Sequence, residues 1–357
     1  MTDRNFGQFS WNGECPLPRE AGTAELTLAH GEGGREMRRL IEDRIWHLLR
    51  ESHLSGQGGD AARLPRPDGP IAMTTDSFVV TPLFFPGGDI GHLAVYGTVN
   101  DLAVMGAIPR WMSLAFILEE GFPLREFDRI LKSIAAAAEV TQVRIVTGDT
   151  KVVPRGKADG VFINTTGIGE FATPAPPGPS AIEPGDLLII TGPIGRHGLA
   201  ILAAREKLGF EPPPQSDCGP LIEVFRDLRD AGLCPRAARD ATRGGVAAVC
   251  HEWAQASGTT LRIEESELPV SAEIRGACEL LGLDPLFLAN EGTAVLAVES
   301  ALAIPTLQLL RSTRLGTNAA IIGEVRHRGV VPVVIGNRLG RERVLEEPTG
   351  APMPRIC

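Results

Sequence analysis

Residues 90–105 read IGHLAVYGTVNDLAVM, and this stretch decides the fold of the chain. Its apolar residues recur at helical spacing, and Gly106 suits a helix C-terminus, so the pattern predicts a helix over these residues. Asn100 and Asp101 interrupt the apolar run. A buried carboxylate is costly unless it is paired or bound to a cation. Asp101 is therefore a candidate for a chemical site on a predicted core helix.

Strands and helices alternate on both sides of this helix. Apolar runs and amphipathic periodicity predict a helix at about 35–53, a strand at 71–80, a strand at 111–118, a helix at 124–140, and strands at 143–147 and 160–169. This order is typical of an α/β domain that ends near residue 170.

A Pro-rich run, Thr173–Pro179, provides the best domain boundary in the chain. Strand and helix patterns resume beyond it and predict a second α/β domain. The predicted division is an N-terminal extension at 1–25, a first domain at 26–172, a linker at 173–180, a second domain at 181–345 and a tail at 346–357.

Composition excludes several classes of protein. The 357 residues carry a net charge of −9, which argues against a nucleic-acid partner, since such a partner favours a basic face. No apolar run approaches the roughly 20 residues that a membrane span needs. Residues 1–25 lack the pattern of a signal peptide, so we expect a cytoplasmic protein. Neither a disulfide framework nor a zinc site is indicated, and Cys250 and Cys278 fall in apolar helical patterns typical of buried residues.

Three aspartates stand where secondary structure alone would not favour them. Asp76 lies inside an apolar strand, Asp101 inside the core helix, and Asp149 directly after a predicted strand end. Mg²⁺ prefers hard oxygen ligands, so these carboxylates could hold a nucleotide phosphate chain through metal ions, with Lys151 adding positive charge. The alternative is three independent turn or capping aspartates, each of which is common.

A glycine-rich turn, His30–Gly34, precedes a predicted helix. Its backbone N–H groups at Gly31, Gly33 and Gly34 could bind phosphate. A merely flexible turn is the alternative. At the other end of the chain, two prolines precede Cys357 and favour an extended, accessible thiol. An ordinary chain end explains that tail equally well.

Longer motifs resemble those of the HypE family of hydrogenase maturation factors, over about residues 26–357. These motifs are Thr74–Ser77, Gly88–Ala94, Gly97–Ala107, Thr147–Val153, Asp240–Gly245, Leu288–Gly292 and Pro354–Cys357. The resemblance implies a two-domain α/β (α+β) fold of the PurM, or aminoimidazole ribonucleotide synthetase, superfamily. In that fold the N-terminal domains of two subunits form a shared β-barrel in a homodimer, and the C-terminal domain is an α/β sandwich.

The resemblance also implies an activity with ATP and Mg²⁺ as cofactors. The HypF carbamoyltransferase would load a carbamoyl group onto Cys357, and ATP-dependent dehydration would convert this S-carboxamide to a thiocyanate. The cyano group would then pass to iron on a HypC–HypD complex, to become a cyanide ligand of [NiFe]-hydrogenase.

The chemistry that this implied activity needs suggests roles for particular residues. Glu291 is the candidate general base, and a loop carboxylate is its alternative. Asp240, Thr242 and Arg243 would hold phosphate or the incoming tail, with helix capping by Asp240 as the alternative. The magnesium and phosphate set comprises Asp76, Asn100, Asp101 and Asp149, with Lys151 on the phosphates.

Three residues depart from the family pattern: Glu32 stands in place of glycine, His92 in place of Lys or Arg, and Ala241 in place of Pro. Selenophosphate synthetase is the nearest enzymatic rival, but it uses Cys or selenocysteine followed by Lys in its glycine-rich loop, and His30–Gly34 contains neither. A thiamine-phosphate kinase or a purine-pathway synthetase would leave Cys357 without a role. A non-catalytic carrier of a carbamoyl or cyano group is the remaining alternative.

Overall fold

A computed structural model describes residues 25–49, 60–337 and 339–349. The predicted extension 1–25, except for Glu25, and the end of the tail with Cys357 lie outside the described residues. Two sheets, of four and seven strands, stand on either side of the Pro-rich run.

The first part of the chain builds the four-stranded sheet and its helices. A 3₁₀ turn at Leu28–Gly31 leads into a helical segment made of α1 (Arg35–Arg39), a π-helical stretch (Leu40–Trp46) and α2 (His47–Leu49). The remaining elements are β1 (Ile71–Phe78), β2 (Phe84–Phe85), β3 (Gly88–Asp89), α3 (Ile90–Val104), β4 (Ala107–Glu119), α4 (Leu124–Thr141), β5 (Arg144–Val153) and β6 (Val161–Phe171).

The second part builds the seven-stranded sheet. Its elements are β7 (Leu187–Ile190), α5 (Arg196–Glu206), α6 (Ile222–Asp230), β8 (Ala237–Asp240), α7 (Gly245–Ser257), β9 (Thr260–Glu264), α8 (Ala272–Leu281), β10 (Ala294–Val298), α9 (Ser300–Ser312), β11 (Ala320–Arg326), β12 (Val333–Gly336) and β13 (Glu342–Val344). Short 3₁₀ turns lie at Pro179–Ala181, Glu265–Glu267 and Pro285–Phe287. The strand order is β13-β12-β9-β11-β7-β10-β8.

Helix α3 confirms the prediction made from residues 90–105 and joins the two parts of the molecule. Asp89 caps it by accepting the backbone N–H groups of Gly91 and His92 at 2.8 and 3.0 Å. Its residues are apolar on nearly every side because it packs against the first sheet and also against α6 and β8 of the second part. Residues from both parts therefore meet along this helix.

The first sheet has one covered and one open face. Its order is β1-β6-β4-β5, and the register aligns Asp76, Thr165, Leu114 and Gly148 in one row. Side chains of this row face α3, since Thr165 and Leu114 are buried. The next row projects from the opposite, open face because side chains alternate along a strand. That row is Ser77, Asn164, Ala115 and Asp149.

The structure departs from the sequence predictions at β5 and β8, the two strands that carry candidate site residues. The strand predicted to end at Thr147 continues to Val153, so Asp149 lies within β5 instead of following it. The pairing of β5 with the long β4 extends the strand past Gly148, which on its own suggested a turn. Strand β8 was also missed, because its four residues carry two charges and show no apolar alternation.

Candidate active site between the two domains

A cleft of about 270 Å³ opens where α3 meets the second part of the chain. Charged residues dominate its lining, with four carboxyl groups and two arginines. The lining residues are Asp76, Phe78, Gly97, Asp101, Arg239, Asp240, Thr242, Arg243 and Glu291. Six of these were predicted from the sequence; we call Asp76, Asp101, Asp240, Thr242, Arg243 and Glu291 the cleft group.

Secondary structure brings the cleft carboxyls together from distant parts of the chain. Asp76 lies on the covered face of β1, and Asp101 lies on α3 above it, where Thr74 Oγ1 donates to Asp101 Oδ2 at 2.7 Å. Asp240 ends β8, which packs against α3. Glu291 lies in the loop before β10, the strand that pairs with β8. The cleft thus depends on the docking of the two domains.

Burial and mutual repulsion raise the pKa of these carboxyls. Burial, and then the Asp101 carboxylate, raise the pKa of Asp76 to about 6. Burial and the same neighbour raise the pKa of Asp240 to about 7, although the Arg239 guanidinium acts in the opposite direction. Burial and then Asp240 hold the pKa of Glu291 well above its usual range. Carboxyl groups of the cleft, Glu291 above all, therefore stay protonated near neutral pH unless a bound cation stabilises their charged form.

The donor set of the cleft fits Mg²⁺ in type. Carboxylate oxygens are the ligands that Mg²⁺ prefers, and the ion commonly takes one or two of them together with waters and phosphate oxygens. In the part of the chain that the structure describes, no group of three or more acidic, His or Cys side chains is arranged to hold a metal ion. Asp76 and Asp101 could therefore supply two ligands, with the rest coming from a nucleotide and water.

A second set of predicted residues lies away from the cleft, at the edge strand β5. Asp149 Oδ2 and Lys151 Nζ are 3.8 Å apart on the open face of the sheet, and both side chains are more than half exposed. Three strand spacings separate β5 from β1, about 14 Å at the usual distance between strands. The structure of one chain therefore brings Asp76 and Asp101 together but not Asp149.

The glycine-rich turn also packs against β5. A Cβ on Gly31 would lie 2.6 Å from the backbone nitrogen of Val152, so this position requires glycine. Gly33 has a positive φ of 75°, and Gly33 and Gly34 have no neighbour that a Cβ would meet within 4 Å. We call Gly31, Gly33, Gly34, Asp149 and Lys151 the edge group.

Asn100 lies behind the cleft. Its side-chain oxygen accepts the backbone N–H of Leu221 at 2.7 Å, and its amide nitrogen donates to the carbonyls of Gly219 and Glu291 at 3.0 and 3.2 Å. Only 1% of the residue is exposed. Asn100 thus holds α3 to the second domain, and its predicted contact with a nucleotide stays a prediction.

Sequence reasoning missed several residues that shape the cleft. Arg239 lines the cleft and forms an ion pair with Glu252. Its position directly before the motif Asp240–Gly245 was the one feature of the sequence that could have identified it. Gly97 permits close packing, since a Cβ there would lie 3.0 Å from the Phe78 ring. Asp217 contacts the Glu291 loop, but nothing in its Pro-rich surroundings distinguished it in the sequence.

The last described residues of the chain, before residue 350, lie beside the cleft. His251 Nε2 lies 3.0 Å from the carbonyl oxygen of Leu345, and a Cβ built on Gly244 would lie 3.6 Å from Pro348. Gly244 directly follows the cleft residues Thr242 and Arg243. Cys250 and Cys278 are buried, as the sequence predicted. No helix in the described ranges is both long and apolar enough to cross a membrane.

Comparison with known protein families agrees with this two-domain architecture. The family model "AIR synthase related protein, N-terminal domain" matches residues 58–171, and "AIR synthase related protein, C-terminal domain" matches residues 183–335. The chain belongs to the AIR synthase related proteins, and the predicted superfamily is confirmed.

Within that class it is a member of the HypE family. It is 45% identical over 337 residues to carbamoyl dehydratase HypE of Escherichia coli (strain K12), covering 93% of this chain and 99% of the relative. A crystal structure of HypE in complex with ATP superposes with a TM-score of 0.88 at 44% identity, over 93% of this chain and 100% of the other. A HypE–HypF complex matches with a TM-score of 0.76 at 46% identity, over 78% and 90% of the chains.

Proposed function

We propose that this protein is an ATP-dependent carbamoyl dehydratase of hydrogenase maturation, whose substrate is an S-carboxamide on its own Cys357. The observation that carries the proposal is the interdomain cleft, where buried carboxyls converge beside two arginines. The relatives named carbamoyl dehydratase and the ATP-bound HypE structure support both the reaction and the nucleotide.

The position of the chain end supports an intramolecular substrate. Pro348 packs beside Gly244 at the rim of the cleft, and residues 350–357 follow it. A chain of eight residues can span at most roughly 26 Å at about 3.3 Å each, and we propose that this length lets Cys357 enter the cleft.

The proposed chemistry divides the dehydration into two steps. The carboxamide oxygen attacks the γ-phosphorus of ATP, the N–H group loses one proton, and ADP leaves. The C–O bond then breaks with phosphate as the leaving group, while the second N–H proton is removed and the C≡N bond forms. Water is thereby removed from the carboxamide, and its oxygen leaves as part of phosphate.

The cleft group supplies the groups that these steps need. Glu291 is the base that accepts an N–H proton, since its raised pKa makes it a stronger base than an exposed carboxylate. Arg243 and Thr242 lie beside α7, where the helix N-terminus favours the negative phosphates. When bound, Mg²⁺ would neutralise the phosphates and the carboxylates of Asp76 and Asp101. That neutralisation favours the deprotonated form of Glu291.

A homodimer would give the edge group a role. The open face of the first sheet exposes Ile71, Met73 and Ile117, an apolar surface that a second copy would cover. Within one chain Asp149 lies three strands from Asp76 and on the opposite face of the sheet, so a second chain would offer its predicted phosphate contact a partner site. We propose that the dimer brings the edge group of one subunit to the cleft of the other.

Two further partners complete the proposed pathway. A HypF carbamoyltransferase would supply the carbamoyl group, in line with the solved HypE–HypF complex. A HypC–HypD complex would accept the cyano group.

Mass spectrometry tests the proposed function directly. The carbamoylated chain, mixed with Mg-ATP, should become lighter by one water with stoichiometric release of ADP and phosphate. No loss of mass would leave only the non-catalytic carrier. Cys357→Ala should bind ATP as the unmodified chain does and accept no carbamoyl group; carbamoylation of that variant would place the substrate on another residue.

A further inference from the structure

The loop that carries Glu291 is fixed from outside the cleft by one short segment. Ser216–Gly219, which we call the crossing segment, passes between the Pro86–Gly88 turn of the first domain and the Asn290–Thr293 loop of the second. The backbone N–H of Ser216 donates to the carbonyl of Pro86 at 2.9 Å. The crossing segment therefore connects the two domains beside the candidate base.

The carboxylate of Asp217 organises this loop. Its Oδ1 accepts the backbone N–H of Glu291 at 3.1 Å. Its Oδ2 accepts the backbone N–H of Gly292 at 3.1 Å and the Thr293 hydroxyl at 2.9 Å. Three consecutive residues thus donate hydrogen bonds to the Asp217 carboxylate. These bonds fix the backbone of the loop and therefore the direction in which the Glu291 side chain projects.

The contact between loop and crossing segment is too close for any side chain at position 292. A Cβ on Gly292 would lie 2.0 Å from the carbonyl oxygen of Asp217 and 3.2 Å from the backbone nitrogen of Gly219. Such an approach of two backbones leaves little freedom for either. Asp217 can therefore hold the loop in only a narrow range of positions.

The crossing segment is itself rigidly held. The hydroxyl of Ser216 lies 2.8 Å from Nδ1 of the fully buried His197 and accepts the backbone N–H of Cys218 at 3.0 Å. Asn100 donates to the carbonyls of both Gly219 and Glu291. The support of Glu291 is thus anchored to both domains.

We propose that Asp217 is a positioning residue for Glu291. It does not line the cleft; it acts by holding the Glu291 backbone so that the carboxyl faces the reacting group. This inference rests on the proposed function, in which Glu291 is the base. A base displaced by about 1 Å can lose roughly 100-fold in rate, so the three hydrogen bonds matter to catalysis even though none touches substrate.

Asp217→Asn tests the inference in the full-length chain. Asparagine keeps the shape of the side chain, but its amide nitrogen would face one of the loop's donors. We expect single-turnover dehydration of the carbamoylated chain to slow by roughly 10- to 100-fold. The Kd for Mg-ATP should stay within about threefold. Asp230→Asn, an exposed aspartate paired with Arg229, is the matched control and should leave both quantities unchanged.

A double-mutant cycle separates positioning from a general structural role. In a Glu291→Gln background, Asp217→Asn should cause less than about a twofold further loss, because the group that it positions is gone. Thr293→Val removes one of the three hydrogen bonds and should give a smaller loss of rate, again without weakening Mg-ATP binding. Where turnover of Glu291→Gln is too slow to follow, a Thr293→Val rate equal to that of wild type would count against the inference.

Three results would overturn the inference. They are an Asp217→Asn rate equal to wild type, an equal fold-loss in the wild-type and Glu291→Gln backgrounds, and a rise in the Kd for Mg-ATP as large as the fall in rate. A wild-type chain that performs no dehydration would instead refute the proposed function itself, so the two failures are distinguishable.

Discussion

The cleft group and the edge group each place aspartate carboxylates near a basic side chain, but in opposite environments. The cleft carboxyls are buried between two domains, and the pKa values of Asp76 and Asp240 rise to about 6 and about 7. Asp149 and Lys151 lie on an exposed sheet face, paired at 3.8 Å. The comparison shows that an acidic and a basic residue found together in the sequence indicate little about chemistry until their burial and their neighbours are known. The cleft carboxyls meet within one chain, whereas Asp149 and Lys151 lie three strands away from Asp76, on the open face of the first sheet.

The largest expected effect concerns the proposed base in the cleft. Glu291→Gln removes the proposed proton acceptor while keeping the shape, so we expect single-turnover dehydration to fall by roughly 10²- to 10⁴-fold. Carbamoylation of Cys357 and Mg-ATP binding should persist. Glu279→Gln, at an exposed position on α8, is the control. Retained turnover in Glu291→Gln would place the base elsewhere.

The edge group is expected to act across the proposed homodimer. Asp149→Asn should accept the carbamoyl group but dehydrate it roughly 10- to 100-fold more slowly, because a phosphate contact is lost. Chains carrying Asp149→Asn, co-assembled with chains carrying Glu291→Gln, should recover about a quarter of wild-type activity, since half of the dimers then contain one intact site. No recovery in verified mixed dimers would show that Asp149 and Glu291 serve the same chain.

The buried carboxyls of the cleft should make stability depend on pH. Their pKa values in the folded state lie above those of the unfolded chain, so their contribution is present below about pH 4 and is lost as pH rises through about 6 to 7. Without Mg-ATP, the free energy of unfolding should fall over this range. Asp240→Asn should flatten the fall by at most about 1.4 kcal/mol per pH unit. Urea unfolding at several pH values measures this; equal slopes for both proteins would contradict it.

The smallest expected effect is on stability at the edge. Lys151→Ala breaks an ion pair whose partners are both more than half exposed, so the free energy of unfolding should change by less than about 0.5 kcal/mol. Dehydration should nevertheless slow if Lys151 contacts phosphate. Thermal unfolding and single-turnover assays on one preparation compare the two effects. A loss of stability well above 1 kcal/mol would make the edge pair a structural feature.

The local sequence pattern was sufficient to predict an element where apolar residues within that element mark its buried side. Helix α3 was predicted because its run is long and uninterrupted except at Asn100 and Asp101, and α4 because one of its faces is apolar. The short strand β8 was missed because its partner β10, more than 50 residues away, determines it. The extension of β5 through Gly148 depends in the same way on β4.

The sequence by itself determined the family, the alternation of strands and helices, and which acids stand at positions that stability does not favour. Only the tertiary structure decided that Asp76, Asp101, Asp240 and Glu291 share one cleft, that Asn100 and Asp217 support it from behind, and that Asp149 faces elsewhere. The physical reason is that spacing along a strand fixes only which side of its own element a residue occupies. The docking of domains and the register between strands fix what it meets there.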